Sequence, residues 1–431
     1  MISLQNQRQL CLNKSMYFRK LLFLTVFLSV ANSYAQDTVV VNRQQIAEQT
    51  SPIVALRDEF YSSPALRVFY RTYNFSTLAA QYTNESKDVY LQQIGAGSKG
   101  GGAYSESFNK NITGITLWGK AYYNNEKVKS VNFNESADYD MIFPYVMADT
   151  VGGDLNSENY FFGGGISKML GKFRYGVQGS FKGLQSFRNR DPRPKNISTT
   201  IDFSLSIAKE FNAKQAFSVD LLLQKYNQNN ALDFVNELGF PLVYHDAGLG
   251  VYNELLAGTK TQAYYKGKKL GTRLSFAPID LKGFSATLEF NNLNVSKVLS
   301  SVSDNVSTLT DNYLNLNLAY FGELGSQRYI FKLKSYFNDR KGTEATFANL
   351  GGPSLQKIVD GQRYNRSAMG LLLDAAYGKA LTKLSWFLGI TGNYAVQRES
   401  YDLPDRFMDV DLAKFGVYAT VNKTLGKTQC L

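Results

Sequence analysis

The sequence predicts an all-β protein: a transmembrane, antiparallel, up-and-down β-barrel of about 14 strands, or sixteen or more in an untruncated form. Three observations carry this. A secretion signal opens the chain, period-two alternation recurs along it, and short and long connections follow one another in strict order.

Arg8, Lys14, Arg19 and Lys20 precede the apolar run Leu21–Val30 (LLFLTVFLSV), and Ser33-Tyr34-Ala35 stands before Gln36. This order reads as a signal peptide over residues 1–35, cleaved to leave Gln36 first. A start at Met16 gives a more compact signal and makes residues 1–15 an upstream extension. The apolar run is about half the roughly 20 residues a spanning helix needs. Export to the bacterial outer membrane is therefore expected.

The chain holds 47 basic residues, four of them ahead of Gln36, against 36 acidic ones, so the mature part carries +7. That excess is spread along strands and loops rather than gathered in stripes, and nucleic acid is excluded as a partner. The two cysteines, Cys11 and Cys430, provide no disulfide framework. A closed barrel in a membrane supplies stability by other means.

In FRYGVQGSFKG, Phe173, Tyr175, Val177 and Phe181 share one face while Arg174, Gln178 and Lys182 share the other. The same pattern sets Ile201 and Phe203 against Asp202, and Val219 and Leu221 against Asp220. Further along, Leu288 and Phe290 oppose Glu289, Phe331 and Leu333 oppose Lys332 and Lys334, and Trp386 and Leu388 oppose Ser385. Such runs match the roughly 9–11 tilted residues of a membrane-crossing strand and exceed ordinary strands of about 5–6. The apolar face avoids ionised residues, as a lipid-facing surface requires.

Connections assign the strands. A first strand is expected near Leu66–Tyr82, and short turns at Asn109–Thr113, Met169–Lys172, Phe211–Lys214, Ile279–Gly283, Gly322–Ser326 and Gly378–Thr382. Longer loops alternate with these, including one of about 34 residues to Glu158, LQSFRNRDPRPKN, Asn227–Leu256, Ser300–Thr308, Asn338–Asn365 and Glu399–Asp409. Keeping the order requires Thr259–Ile279 to be one strand. The N-terminus then lies on the short-turn, periplasmic side. Residues 36–65 form a periplasmic segment or latch, with Ser51 and Pro52 starting a short helix, and residues 66–431 form the barrel. At the C-terminus, Leu425–Lys427 repeats the LGK of an earlier turn and only TQCL follows, without a terminal aromatic residue. A truncated product and a fourteen-stranded barrel with a short tail are equally open.

Chemical motifs are sparse. His245 is the only histidine and sits in VYHDAG on an expected external loop beside Asp246, so it reads as a solvated residue rather than a catalytic one. The acids of Asp149–Asn159 lack calcium-loop spacing, and the glycine runs Lys99–Gly102 and Phe161–Gly165 lack a strand-to-helix context for phosphate. No catalytic residue, metal site or cofactor is expected, and the chain does not read as an enzyme. The loop cations Arg188, Arg190, Arg193 and Lys195 are candidates for contact with anionic ligands or lipopolysaccharide.

With its signal peptide, SYAQ junction, tyrosine-rich hairpins and RDPRPKN loop, the chain resembles an uncharacterised family of Bacteroidetes outer-membrane β-barrel proteins, from about Ala55 to Lys427. The resemblance implies location, fold and an association with nutrient uptake, and supplies no substrate.

The function these readings favour is a channel or transporter for small solutes, a fatty-acid-type transporter with an N-terminal hatch being one variant. Candidate lumen residues are Arg174, Gln178, Lys182, Asp202, Asp220, Glu289, Lys332 and Lys334. One alternative is a non-conducting barrel subunit of an uptake complex. Another is a barrel lipase or protease, which needs His245. Expected partners are outer-membrane lipid and lipopolysaccharide, an unspecified small solute and uptake-complex subunits.

Overall fold

The computed structural model describes residues 52–423 except 112, 213, 237–240, 259–260, 303, 350–354 and 381–383. The expected signal, the Ser51 cap and the Leu425–Lys427 turn lie outside these residues.

A helix α1 (Ile53–Phe60) and a 3-10 turn (Pro64–Phe69) come first. The strands begin with β1 (Phe75–Asn84), β2 (Ser98–Lys110) and β3 (Ile115–Val131), followed by a single helical turn α2 (Tyr139–Ile142) and β4 (Met147–Asp149). Next are β5 (Gly153–Leu170), β6 (Phe173–Phe187), β7 (Arg193–Asn212), β8 (Gln215–Asp233), β9 (Val243–Gly248) and β10 (Val251–Tyr252). The last are β11 (Gln262–Pro278), β12 (Gly283–Leu299), β13 (Asp304–Leu324), β14 (Gln327–Ala348), β15 (Gln356–Ala380), β16 (Leu384–Tyr401) and β17 (Arg406–Lys423).

Fourteen of these form one antiparallel meander in chain order, and β4, β9 and β10 form a separate small sheet. The barrel architecture is the one the alternation implies, since residues i and i+2 share a face and every hairpin returns beside its predecessor. The long strand expected across Thr259–Ile279 is β11, unbroken at its KGKK. Among the described residues no pairing joins β1 to β17.

Phe173, Tyr175, Val177 and Phe181 lie exposed on the outward face. Arg174, Gln178 and Lys182 point inward, where each meets another part of the chain.

Three segments fold into the interior, one at the short-turn end and two at the long-connection end. At the short-turn end, Ile53, Leu56 and Phe60 of α1 repeat at helical spacing and pack with Tyr61, Ala65 and Leu66 against Phe108, Ala208, Ala216, Ala277 and Phe387 of the strands. At the long-connection end, Ile142, Tyr145, Val146 and Met147 join Val243, Ala247 and Leu256 against Tyr226, Tyr265, Val295 and Tyr364.

Two expectations change. The first strand begins at Phe75, not near Leu66, because Leu66–Phe69 belongs to a 3-10 turn whose apolar side chains face the lumen wall. Several expected long loops are strand extensions: β14 runs to Ala348 and β15 starts at Gln356 inside the expected Asn338–Asn365 loop. Beyond the apolar belt, a strand no longer has to show alternation, yet its backbone ladder continues.

Candidate functional site

The candidate site is the lumen, and part of its polar lining holds the three inward segments. At the short-turn end, Lys334 Nζ of β14 lies 2.8 Å from Glu59 Oε2 of α1. Ser63 Oγ donates to Asp220 Oδ1 of β8 at 2.6 Å, and the Ala65 N–H donates to Ser206 Oγ of β7 at 2.6 Å. Arg273 of β11 spans three partners. Its Nη1 reaches Ser62 Oγ at 3.1 Å and Asp220 Oδ2 at 3.6 Å, and its Nε donates to Glu289 Oε2 at 2.6 Å. The Arg174 guanidinium lies over the Phe69 ring at 5.2 Å and pairs with Glu210 at 3.0 Å. Gly176 supplies the close approach: a Cβ there would collide with the Pro64 carbonyl carbon and the Ala65 nitrogen.

At the long-connection end, β4 and β9 pair, with Met147 opposite His245 and Asp149 opposite Val243, so the two segments support each other. Arg188 fastens them. Its Nη2 lies 2.7 Å from Glu135 Oε1 and 2.7 Å from Asp149 Oδ2, and all three side chains are almost fully buried. Burial, then the hydrogen bond and charge of Asp149, push the Glu135 carboxyl well above the usual carboxylate range against the pull of Arg188. Lys182 Nζ meets Asp138 Oδ1 at 2.9 Å, and Arg340 Nη1 donates to the carbonyls of Asp140 and Phe143, both at 2.9 Å. Lys297 Nζ donates to the Val146 carbonyl at 3.1 Å.

Between these ends Gln224 Nε2 donates to Asp202 Oδ1 at 2.7 Å and Ser180 Oγ to Asp202 Oδ2 at 3.3 Å. Trp118 Nε1 donates to Gln178 Oε1 at 3.0 Å, and Lys332 pairs with Asp374 at 2.8 Å. All eight candidate lumen residues thus face inward onto a partner. Arg174, Lys182, Asp220 and Lys334 meet the inward segments themselves.

Residues 64–431 match the family described as a family of unknown function, DUF6850. The chain belongs to that family. No curated protein matches the sequence. Solved structures similar in architecture include the alcaligin outer membrane receptor FauA of Bordetella pertussis, at 7% identity and TM-score 0.35, covering 80% of this chain and 70% of that one. The siderophore receptor PiuA of Acinetobacter baumannii has 9% identity and TM-score 0.34, covering 81% and 77%. The β domain of the Bordetella autotransporter BrkA has 11% identity and TM-score 0.29, covering 72% and 100%. These likenesses are distant and lend the chain no role.

The four cations expected on one external loop divide: Arg188 and Arg190 lie in the β6–β7 connection, whereas Arg193 and Lys195 belong to β7, whose ladder extends into the expected loop. Arg190 and Lys195 are exposed, and Arg193 pairs with Asp191 at 2.8 Å. Arg188 is 4% exposed and is not available to an external anion. Its long side chain reaches inward because Glu135 and Asp149 lie buried beneath it, and the carbonyls of Arg190 and Pro192 accept from its Nε.

His245 is likewise 4% exposed, in β9, rather than solvated on an external loop. It lines a cavity of about 20 Å³ with Tyr145, Asp246, Lys297 and Glu344. The Asp246 carboxyl is pushed up to about 6, chiefly by burial.

The residues that sequence reasoning passed over are Glu59, Ser63, Glu135, Asp138 and Arg273, and Asp149, weighed there only as part of a calcium loop, is a buried partner of Arg188. Arg273 stands on the polar face of an alternating strand and was within reach of that signal. Glu135 and Asp138 lie where no periodicity exists to place them.

Proposed function

We propose that this protein is an outer-membrane barrel that passes a small solute through a lumen closed at rest at both ends by inward-folded segments. The membrane placement is supported by the outward face. At its short-turn edge Tyr329, Tyr377 and Trp386 form a contiguous aromatic cluster with ring centroids 5.3 and 5.6 Å apart, the girdle expected at a bilayer interface. On the same strands, farther from the short turns, Phe331, Leu373, Leu388 and Ile390 are exposed.

The observation that carries the gated reading is that both mouths are filled by noncovalently held segments seated on lumen charges. The ion pair Lys334–Glu59 is worth about 0–1 kcal/mol, and the segment is held mainly by the burial of Ile53, Leu56, Phe60 and Leu66, all of it noncovalent, so its release leaves the backbone ladder of the wall intact. An open pore has no use for such fastenings. A second reading, a non-conducting barrel subunit, is favoured by the outer edges of β1 and β17, which have no strand partner among the described residues, the latter exposed from Arg406 to Phe415.

Solute efflux from liposomes separates the two. The native chain should retain trapped monosaccharides and amino acids, and a variant lacking residues 53–72 and carrying Arg188→Ala should release them. A folded double variant that still retains them would sink the transport reading and leave the subunit reading standing.

A further inference from the structure

The outward faces of β8 and β11 carry a cationic cluster that takes no part in the lumen. Lys225 and Lys268 stand directly opposite each other in the β8–β11 register, and Lys266 lies two residues along β11, opposite Asn227. All three are exposed, and among the described residues none has an ion-pair partner. Like charges directly opposite in an antiparallel pair destabilise it. A multivalent anion bridging them turns that repulsion into attraction.

The position of the cluster selects the anion. One row toward the short turns, Leu223 faces Leu270 and Phe203 faces Leu223, all exposed and apolar. In the row of Lys225 and Lys268, the sheet continues into Asn294 of β12 and Thr310 of β13. Thr310 Oγ1 donates to Asn294 Oδ1 at 2.9 Å, and Asn294 Nδ2 donates to Asn292 Oδ1 at 2.6 Å. On β8 and β11 the outward surface therefore changes from apolar to cationic between one row and the next, at the long-connection edge of the belt and along a boundary that slants across the sheet: exposed Ile201 of β7 stands opposite Lys225, and Asn292 and Asn312 continue the row of Leu270 into β12 and β13. That is the level at which lipid phosphates stand in the outer leaflet.

We propose that Lys225, Lys266 and Lys268 bind the phosphates of a phosphorylated glycolipid of the outer leaflet, with its acyl chains lying along Phe203, Leu223 and Leu270. The site rests on the membrane placement of the barrel and is independent of whether the lumen conducts. A basic residue at an anionic membrane surface contributes about 1 kcal/mol, about fivefold in affinity. Three together give on the order of a hundredfold.

The test uses the full chain, folded in a neutral detergent with folding read from heat-dependent gel mobility, and measures retention of purified bisphosphorylated lipid A by native mass spectrometry. The native protein should retain it. The triple variant Lys225→Gln, Lys266→Gln, Lys268→Gln should bind on the order of a hundredfold more weakly, while Lys172→Gln, in the short turn between β5 and β6 at the opposite end, binds as the native chain does. Should the triple variant fail to fold, Lys268→Gln alone should bind about fivefold more weakly. Equal binding by native and folded variant chains overturns the proposal. So does displacement of lipid A by an equal concentration of inorganic phosphate, which would mark a free-anion site. A folded chain that fails to enter lipid vesicles overturns the membrane placement itself.

Discussion

Arg188 and Glu135, brought together from connections on different hairpins, meet at 2.7 Å with both side chains buried. A buried ion pair is expensive to desolvate, but removing one partner is costlier still, because the other is left charged and uncompensated.

Arg188→Ala should therefore cost about 3–5 kcal/mol of the long-connection segment's docking. Limited proteolysis should then cut near residues 132–150 while the barrel keeps its heat-dependent gel mobility. Unchanged protection of that segment would show that the triad does not hold it.

Gly176→Val tests the other end. The added side chain must displace the backbone at Pro64 and Ala65, and overpacking of this kind typically costs about 1–3 kcal/mol. A cysteine placed at Ser63 should react with a water-soluble maleimide faster in this variant than in an otherwise native background. Equal rates would mean that the 3-10 turn does not rest on β6.

Lys334→Glu sets two carboxylates at the site of the 2.8 Å pair with Glu59. The expected loss is modest, about 1 kcal/mol, and should fall further in high salt. Lys334→Glu combined with Glu59→Lys should recover the native labelling rate at Ser63→Cys. A double variant as labile as the single one would place the effect elsewhere.

The β9 segment at the long-connection end should tighten in acid. Burial raises the Asp246 carboxyl from 3.8 to about 6, with Lys297 pulling the other way and Glu399 adding to the rise. Glu135 is shifted in the same direction, with burial again the largest cause. An acid with a raised folded-state pKa contributes its stability fully below its unfolded pKa and loses it as pH rises through the folded value. For Asp246 that window runs from about pH 4 to about pH 6 and is worth up to ~3 kcal/mol. Amide exchange of residues 242–257, corrected for intrinsic rate, should accelerate across it, and slower exchange at the higher pH would refute the assignment.

The strands were legible because a lipid-facing strand must alternate over its whole crossing. Phe173 to Lys182 therefore announced both its faces, and short turns fixed the order of the hairpins. What alternation could not convey was the filling of the lumen. Lys182 and Lys334 read as free lumen charges because nothing local to β6 or β14 encodes a partner in a segment far away in the chain, such as Asp138 or Glu59. Arg188 misled for the opposite reason: RNRDPRPKN has the composition of a solvated loop, and only the tertiary fold buries its first arginine. His245 shares that history, its segment being polar enough for an external loop yet paired as β9 against β4.

Single-channel recording in planar lipid bilayers tests the closed lumen most directly. The native chain should insert and stay electrically silent, whereas the variant lacking residues 53–72 and carrying Arg188→Ala should show discrete, salt-dependent steps. Steady open steps from the native chain would contradict a lumen closed at both ends.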